Sequence, residues 1–209
     1  MINFPKLNTN LNEINNIQKM LENDEIIDGC LIENIQIIKI NIDNIEITGC
    51  KLRNVKFISC IFEKAYFSNC IFENCDLSNI NLNSATFKNV MFLECKLAGS
   101  NLSRSYFDNV IIDSSNFKNI YFDNSKITNS EFLNTNFKDS NITENNFKNI
   151  QFEKCNFEYV NFSKTKLNSI DLSSNNINGI TVYTEDLKGS IMTELQALEF
   201  IKILGIIIK

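Results

Sequence analysis

Hydrophobic residues recur along this chain every five positions. Steps of five from Ile27 land on Ile32, Ile37, Ile42, Ile47, Leu52 and Phe57, and continue without insertion to Val182 and Leu187. Every such centre is Leu, Ile, Phe or Val, and 15 of the 17 Phe lie on the series. A period of five fits neither the 3.6 of an amphipathic helix nor the 2.0 of a strand. A second restricted position falls two residues before each centre. It holds small or β-branched residues such as Val55, Ala65, Ser100 and Val110, and it takes all seven Cys: Cys30, Cys50, Cys60, Cys70, Cys75, Cys95 and Cys155. The residue between these two points outward and is often Asn or Asp, as at Asp76 and Asn101. The second residue after the centre is rich in Asn and Gly (Asn54, Asn69, Asn89, Gly49, Gly99). Those types tolerate the positive φ that the third residue of a type II turn requires. Each quintet therefore reads as a short extended piece followed by a corner, and the whole as a narrow tube filled by one bulky and one small side chain per quintet.

The ends break the pattern. Residues 1–24 carry Leu7, Leu11, Ile14, Ile17 or Gln18, and Leu21 at helical spacing, with Asn8, Thr9 or Asn10 as N-cap, which predicts a short helix covering the first coil. Such a cover shields an otherwise open sheet edge. In residues 190–209, Thr193 and Gln196 form a capping-box pattern ahead of an apolar helix that Gly205 would stop, followed by a short strand at Ile206-Ile207-Ile208. Capping buries one face of a helix, yet this one is apolar on more than one. Leu195, Leu198, Phe200, Ile201, Leu204 and Ile206 are therefore expected to pair with a second copy in an isologous dimer.

The period resembles that of the pentapeptide repeat family, small–Asn/Asp–Leu/Phe–polar–variable, in quintets such as Ser115-Asn116-Phe117-Lys118-Asn119 and Cys155-Asn156-Phe157-Glu158-Tyr159. The resemblance covers residues 25–189. It implies an all-β solenoid, a right-handed quadrilateral parallel β-helix of about eight coils with four quintets each. A narrower resemblance, Asp186-Leu187-x-Gly189 with Gln196-Ala197-Leu198 and Leu204-Gly205-Ile206, is to the ends of Qnr-type quinolone-resistance proteins. That likeness implies a bacterial, cytoplasmic homodimer whose acidic surface imitates DNA and binds a type II topoisomerase.

Composition narrows the chemistry. The 209 residues include no His and no Trp, one Pro and six Gly, and the net charge is −5. Lack of His removes the commonest general base and metal ligand, and an acidic balance argues against direct nucleic-acid binding. No stretch reaches the ~18–20 apolar residues of a membrane span. The Cys lack a C-x-x-C spacing and read as small core residues. No enzyme activity, cofactor or metal is expected.

With four quintets per coil, every fourth quintet shares a side. One side carries Glu33, Glu73, Glu94, Asp113, Glu131, Glu153 and Asp171, against Lys51, Arg53 and Lys154, a net of −4. The same side presents Ile71, Met91, Leu93, Ile111 and Leu133 outward, where its neighbours offer mostly Asn. This acidic–apolar wall is the expected docking surface of a non-catalytic protein-binding scaffold whose partner is unknown. The alternative expectation is the Qnr-like DNA mimic acting on DNA gyrase or topoisomerase IV.

Overall fold

The computed structural model describes residues 4–7, 10–14, 16–23 and 26–203. The chain winds into a parallel β-solenoid of about seven turns. Its elements begin with β1 (Asn12–Glu13), α1 (Ile17–Glu22), β2 (Ile27–Asp28), β3 (Cys30–Glu33), β4 (Gln36–Ile38), β5 (Glu46–Thr48), β6 (Lys51–Arg53) and β7 (Lys56–Ile58). Five strands of eight residues follow: β8 (Tyr66–Glu73), β9 (Thr86–Leu93), β10 (Tyr106–Asp113), β11 (Lys126–Leu133) and β12 (Asn146–Glu153). Helix α2 (Glu194–Ile203) is the last element among the described residues. From β2 onward strands pair in parallel with the equivalent segment of the adjoining coil, so that Phe67 faces Phe87 and Phe72 faces Phe92.

Both inward registers are filled as the period requires. The centres from Ile27 to Val182 are buried except Ile42 and Phe147, which with Leu187 pack part-buried against the core. Stacking repeats in register: Phe67 lies 5.1 Å from Phe87 and Phe72 lies 4.8 Å from Phe92, nearly parallel, while Phe87 and Phe92 meet edge-on at 5.6 Å. Such pairs add about 0.5–1.5 kcal/mol each beyond burial.

The small register has its own hydrogen-bonding rule. Ser100 Oγ accepts from the Ile80 N–H at 3.2 Å and donates to the Leu77 carbonyl at 2.5 Å. Cys70 Sγ donates to the Ile47 carbonyl at 3.3 Å. Asn145 and Asn175, which are not small, occupy the same slots and make the same two kinds of contact: Asn145 Nδ2 donates to the Phe122 carbonyl, and its Oδ1 accepts from the Ser125 N–H, both at 2.6 Å. Among the described residues no buried side-chain N or O lacks a partner. A polar interior is thus tolerated because each group bonds the neighbouring coil.

Corners follow the period with equal regularity. Every fifth residue from Asn34 to Ser169 has φ between +48° and +73°, and only Gly49 and Gly99 in that run are glycine. The geometry overrides residue preference, placing even Glu94 and Arg104 in the left-handed region that Asn and Gly favour.

The ends differ from the periodicity in part. Residues 12–13 are extended, not helical: the Asn12 N–H donates to the Gly29 carbonyl at 2.9 Å and Ile14 to Leu31 at 3.1 Å. The open edge of β3 offers unpaired backbone groups that a strand satisfies and a helix cannot. Helix α1 is confined to Ile17–Glu22, with Asn16 rather than residue 8, 9 or 10 as its N-cap and Ile17 and Leu21 buried on the first coil. Residues 8, 9, 24 and 25 lie outside the described set. At the other end the capping box forms: Gln196 N–H donates to Thr193 Oγ1 at 3.2 Å, and Thr193 N–H to Gln196 Oε1 at 2.8 Å. Gln196 Nε2 also donates to the Leu172 and Asn175 carbonyls at 3.0 and 2.9 Å, tying α2 to two carbonyls of the last coil.

Two outcomes test this architecture by urea unfolding. Phe107→Asn, at a fully buried centre, should cost at least about 3 kcal/mol; an unchanged midpoint would contradict the register. Gln196→Leu should lose about 1–3 kcal/mol, with hydrogen exchange accelerated first in the last coil. Unaltered exchange there would show that α2 does not hold that coil closed.

Candidate functional site

The four walls of the solenoid are of two kinds, and backbone geometry divides them. On the two walls centred on Phe117 and Phe122, the outward Asn caps its own corner. Asn101 Oδ1 accepts from the Ser103 N–H at 3.0 Å, Asn116 from Lys118 at 3.2 Å, Asn136 from Lys138 at 3.1 Å, and Asn161 from Ser163 at 3.1 Å. These are Asx turns, which need Asn or Asp at that one position. Strands β8 to β12 instead run across the other two walls and the corner between them, so the turn and its Asn requirement are absent. Their outward positions take β-formers: Tyr66, Thr86 and Tyr106 on one wall, Ile71, Met91 and Ile111 on the next.

The predicted acidic–apolar wall is the second of these strand walls. Its outward residues form two ladders. The first runs Lys51, Ile71, Met91, Ile111, Glu131, Gln151, and the second Arg53, Glu73, Leu93, Asp113, Leu133, Glu153. The structure thus brings the predicted residues onto one face, with Glu94 exposed at its corner. Ile71, Met91, Leu93 and Leu133 are half-buried by their neighbours, whereas Ile111 is only 7% exposed and offers little surface.

Salt bridges that periodicity alone did not reveal redistribute the charge. Arg53 grips Glu33 through Nη2 at 2.6 and 2.8 Å and Nε at 3.2 Å. Lys51 reaches Glu73 Oε2 at 2.6 Å, and its hydrogen bond holds that carboxyl below the usual range. Lys154 meets Glu153 at 3.3 Å. Asp171 accepts the Ser173 N–H at 2.8 Å in an Asx turn, and the Ser173 hydroxyl, followed by that N–H, lowers its pKa. Such exposed pairs contribute little stability, but they neutralise both ends of the wall. Glu94, Asp113 and Glu131 make no salt bridge among the described residues, so uncompensated acidity collects at mid-wall beside Met91, Leu93 and Leu133. Asp113 is steered by Ser114 Oγ and Asn134 Nδ2, each at 3.0 Å.

The wall is flat. A cleft of about 310 Å³ lies elsewhere, at the N-terminal end between Leu21, Ile26 and the 42–46 corner. A smaller one, lined by Glu13, Ile14, Leu31, Glu33 and Asn34, touches only the foot of the wall.

At the other end, α2 turns two leucines outward. Leu195 is 78% and Leu198 40% exposed, and Ile191 beside the helix is 53% exposed, while Phe200 packs part-buried on the core and Ile201 is half-buried. Leu204 and Ile206, also read as dimer contacts, lie outside the described residues. Among the described residues no helix is long and apolar enough to cross a membrane.

All seven cysteines are buried free thiols. Burial pushes Cys155 up to about 12, and burial reinforced by Cys50 pushes Cys30 up to about 11. Cys95 is raised by the adjacent Cys75 thiol and then by burial. All seven lack the exposure that reactivity needs, and those raised lack the thiolate as well. A folded-state pKa above the ordinary 9.0 means that the stability tied to the neutral thiol is complete below that value and is lost as pH rises past it. A disulfide reagent at pH 8 should therefore leave the native thiols silent and titrate all seven after denaturant. Rapid native labelling would place a cysteine outside the core.

Comparison with known proteins agrees with this geometry. No curated protein matches the sequence. Among solved structures, a trypsin-treated variant of QnrB1, a plasmid-mediated fluoroquinolone resistance protein, superposes with a TM-score of 0.56 at 19% identity, covering 86% of this chain and 100% of its own. HetL, a pentapeptide repeat protein involved in heterocyst differentiation regulation from the cyanobacterium Nostoc sp. strain PCC 7120, gives a TM-score of 0.30 at 12% identity, over 88% of this chain and 98% of its own. A family model for the pentapeptide repeat region matches residues 45–122 and 125–200. With that match added to the five-residue period and the parallel solenoid, the chain belongs to the pentapeptide repeat family.

Proposed function

We propose that this protein is a non-catalytic scaffold that binds a partner protein on its acidic–apolar wall. The observation that carries the reading is the central segment of that wall, where Glu94, Asp113 and Glu131 stand without salt bridges around half-buried Met91, Leu93 and Leu133. Apolar surface rimmed by charge is what protein contacts use, and a rigid strand wall loses little conformational freedom on binding. The partner surface that fits is basic at its centre with an apolar strip. A scaffold of this kind needs no cofactor and no membrane, and it suits the cytoplasm.

A second reading makes the partner the DNA-binding surface of a type II topoisomerase, gyrase or topoisomerase IV. Two observations favour it: the fold shared with the fluoroquinolone resistance protein QnrB1, and the grouping of Glu94, Asp113 and Glu131 at mid-wall. Charge density favours the broader reading. Glu94, Asp113 and Glu131 span two coil steps, on the order of 10 Å, where duplex DNA would present about six phosphates. In either case we infer that α2 pairs two copies through Leu195 and Leu198, since exposed leucines beside exposed Ile191 leave an apolar end that a second copy would cover.

The wall is tested by Glu94→Gln with Asp113→Asn and Glu131→Gln, scored for supercoiling by gyrase in the presence of a fluoroquinolone. Protection by the wild type that is lost in the triple variant supports the second reading; absence of protection at micromolar wild-type protein overturns it. Met91→Lys with Leu133→Lys should abolish capture of the wall's partner while leaving the free energy of unfolding within about 1 kcal/mol of wild type, and undiminished capture would sink the wall as a docking surface. Leu195→Asp with Leu198→Asp should halve the mass seen by light scattering. If the mass does not change, α2 serves as a cap alone.

A further inference from the structure

The strand wall next to the acidic one carries opposite charge at its C-terminal half. Lys126, Lys148, Lys166 and Lys188 are all exposed there. The pairings Lys126–Asn146 and Thr128–Lys148 place the first two one coil apart, on the two outward positions that flank the Ile127 and Phe147 centres. Lys166 and Lys188 follow beside the Leu167 and Leu187 centres, in a last coil whose ladder runs from the Leu167 N–H to the Asp186 carbonyl at 2.8 Å and steps by one residue at the Ser169 N–H to the Gly189 carbonyl, also 2.8 Å. The four cations therefore succeed one another along one side of the solenoid, one in each of four successive coils.

None of the four makes a salt bridge among the described residues, although Lys51, Arg53, Lys118, Lys138, Lys154 and Lys164 elsewhere all do. Carboxylates that could answer them are committed. Asp186 is buried and accepts the Lys164 N–H at 2.8 Å. Asp108 accepts from Thr128 Oγ1 at 2.9 Å and Asn129 Nδ2 at 3.0 Å. Glu144 is held by Lys164 at 2.7 Å. Glu185, in the turn leading to Lys188, is the remaining exposed acid at that edge. Lys126 lies over the Tyr106 ring at 5.3 Å, which fixes one end of the row.

We propose that this lysine row is a second docking surface, distinct from the acidic wall, and that it binds an acidic segment of a partner protein. Four charges without salt bridges, rooted on one side of a rigid solenoid, give complementarity without ion pairs to break first. A protein segment fits better than a nucleic acid, because the net charge of −5 repels a long polyanion that extends beyond the row.

The probe is a short fluorescein-labelled oligo-glutamate peptide, followed by anisotropy on the full chain at low salt. The row variant Lys126→Gln, Lys148→Gln, Lys166→Gln, Lys188→Gln should lose about tenfold in affinity, a change of about 1.4 kcal/mol. A control with the same loss of charge on other walls, Lys39→Gln, Lys56→Gln, Lys64→Gln, Lys96→Gln, should stay within about twofold. Circular dichroism melts confirm that both variants fold. Equal losses in the two variants would show bulk charge rather than a site and overturn the proposal. So would tighter binding of a single-stranded oligonucleotide of matched charge to the wild type.

Discussion

The backbone hydrogen bond from each coil to the next is the interaction on which everything else depends. It sets the spacing at which Phe67 stacks on Phe87 and Phe72 on Phe92. It also supplies, at each step, the carbonyl and N–H that Ser100 or Asn145 needs in the interior. The left-handed corner is a consequence of the same constraint. To keep that rung aligned on four sides the chain must turn once in every quintet, and it does so at Glu94 and Arg104 despite the steric cost to a side chain in that region. Cooperation among neighbouring coils outweighs local preference, as expected of solenoids in which each repeat is stabilised only by the next.

Surface chemistry inherits its pattern from the same frame. Where the corner is an Asx turn, the outward position is held by Asn101, Asn116 or Asn136, and that wall is left polar for structural reasons. Where β8 to β12 run across the corner, the position is released from that duty and can take Tyr106, Ile111 or Lys126. The two walls with freedom to vary differ in the charge they carry, Glu131 on one and Lys126 on the other, and they adjoin each other along one continuous ribbon of strands.

Most of the fold could be read from the sequence because the period is unbroken and each residue class has one task. Phe, Cys and Asn each report a position in the coil, so a linear string maps onto four walls without ambiguity. What escaped that reading is instructive. Helical spacing from Leu7 to Leu21 concealed the strand at Asn12–Glu13, because periodicity describes a face to be buried and cannot register an unpaired edge that needs a backbone partner. The Asn at outward positions passed as mere polarity, since its bond is to a backbone N–H two residues on. Of the acidic wall, its membership was legible by counting every fourth quintet, but not its charge. The Glu33–Arg53 and Lys51–Glu73 bridges depend on side-chain reach between coils, and the withdrawal of Ile111 from solvent depends on its neighbours' bulk.

The corner that recurs without a gap from Asn34 to Ser169 also constrains how such a chain can change length. Adding one quintet would leave every corner intact yet rotate all that follows by a quarter turn, carrying Asp113 and Glu131 off their wall and onto the next. Adding a full coil would preserve each wall's identity and merely lengthen it. Evolution of this surface is thus counted in whole coils, and a lineage that grew by single quintets would have to rewrite the outer face of everything downstream.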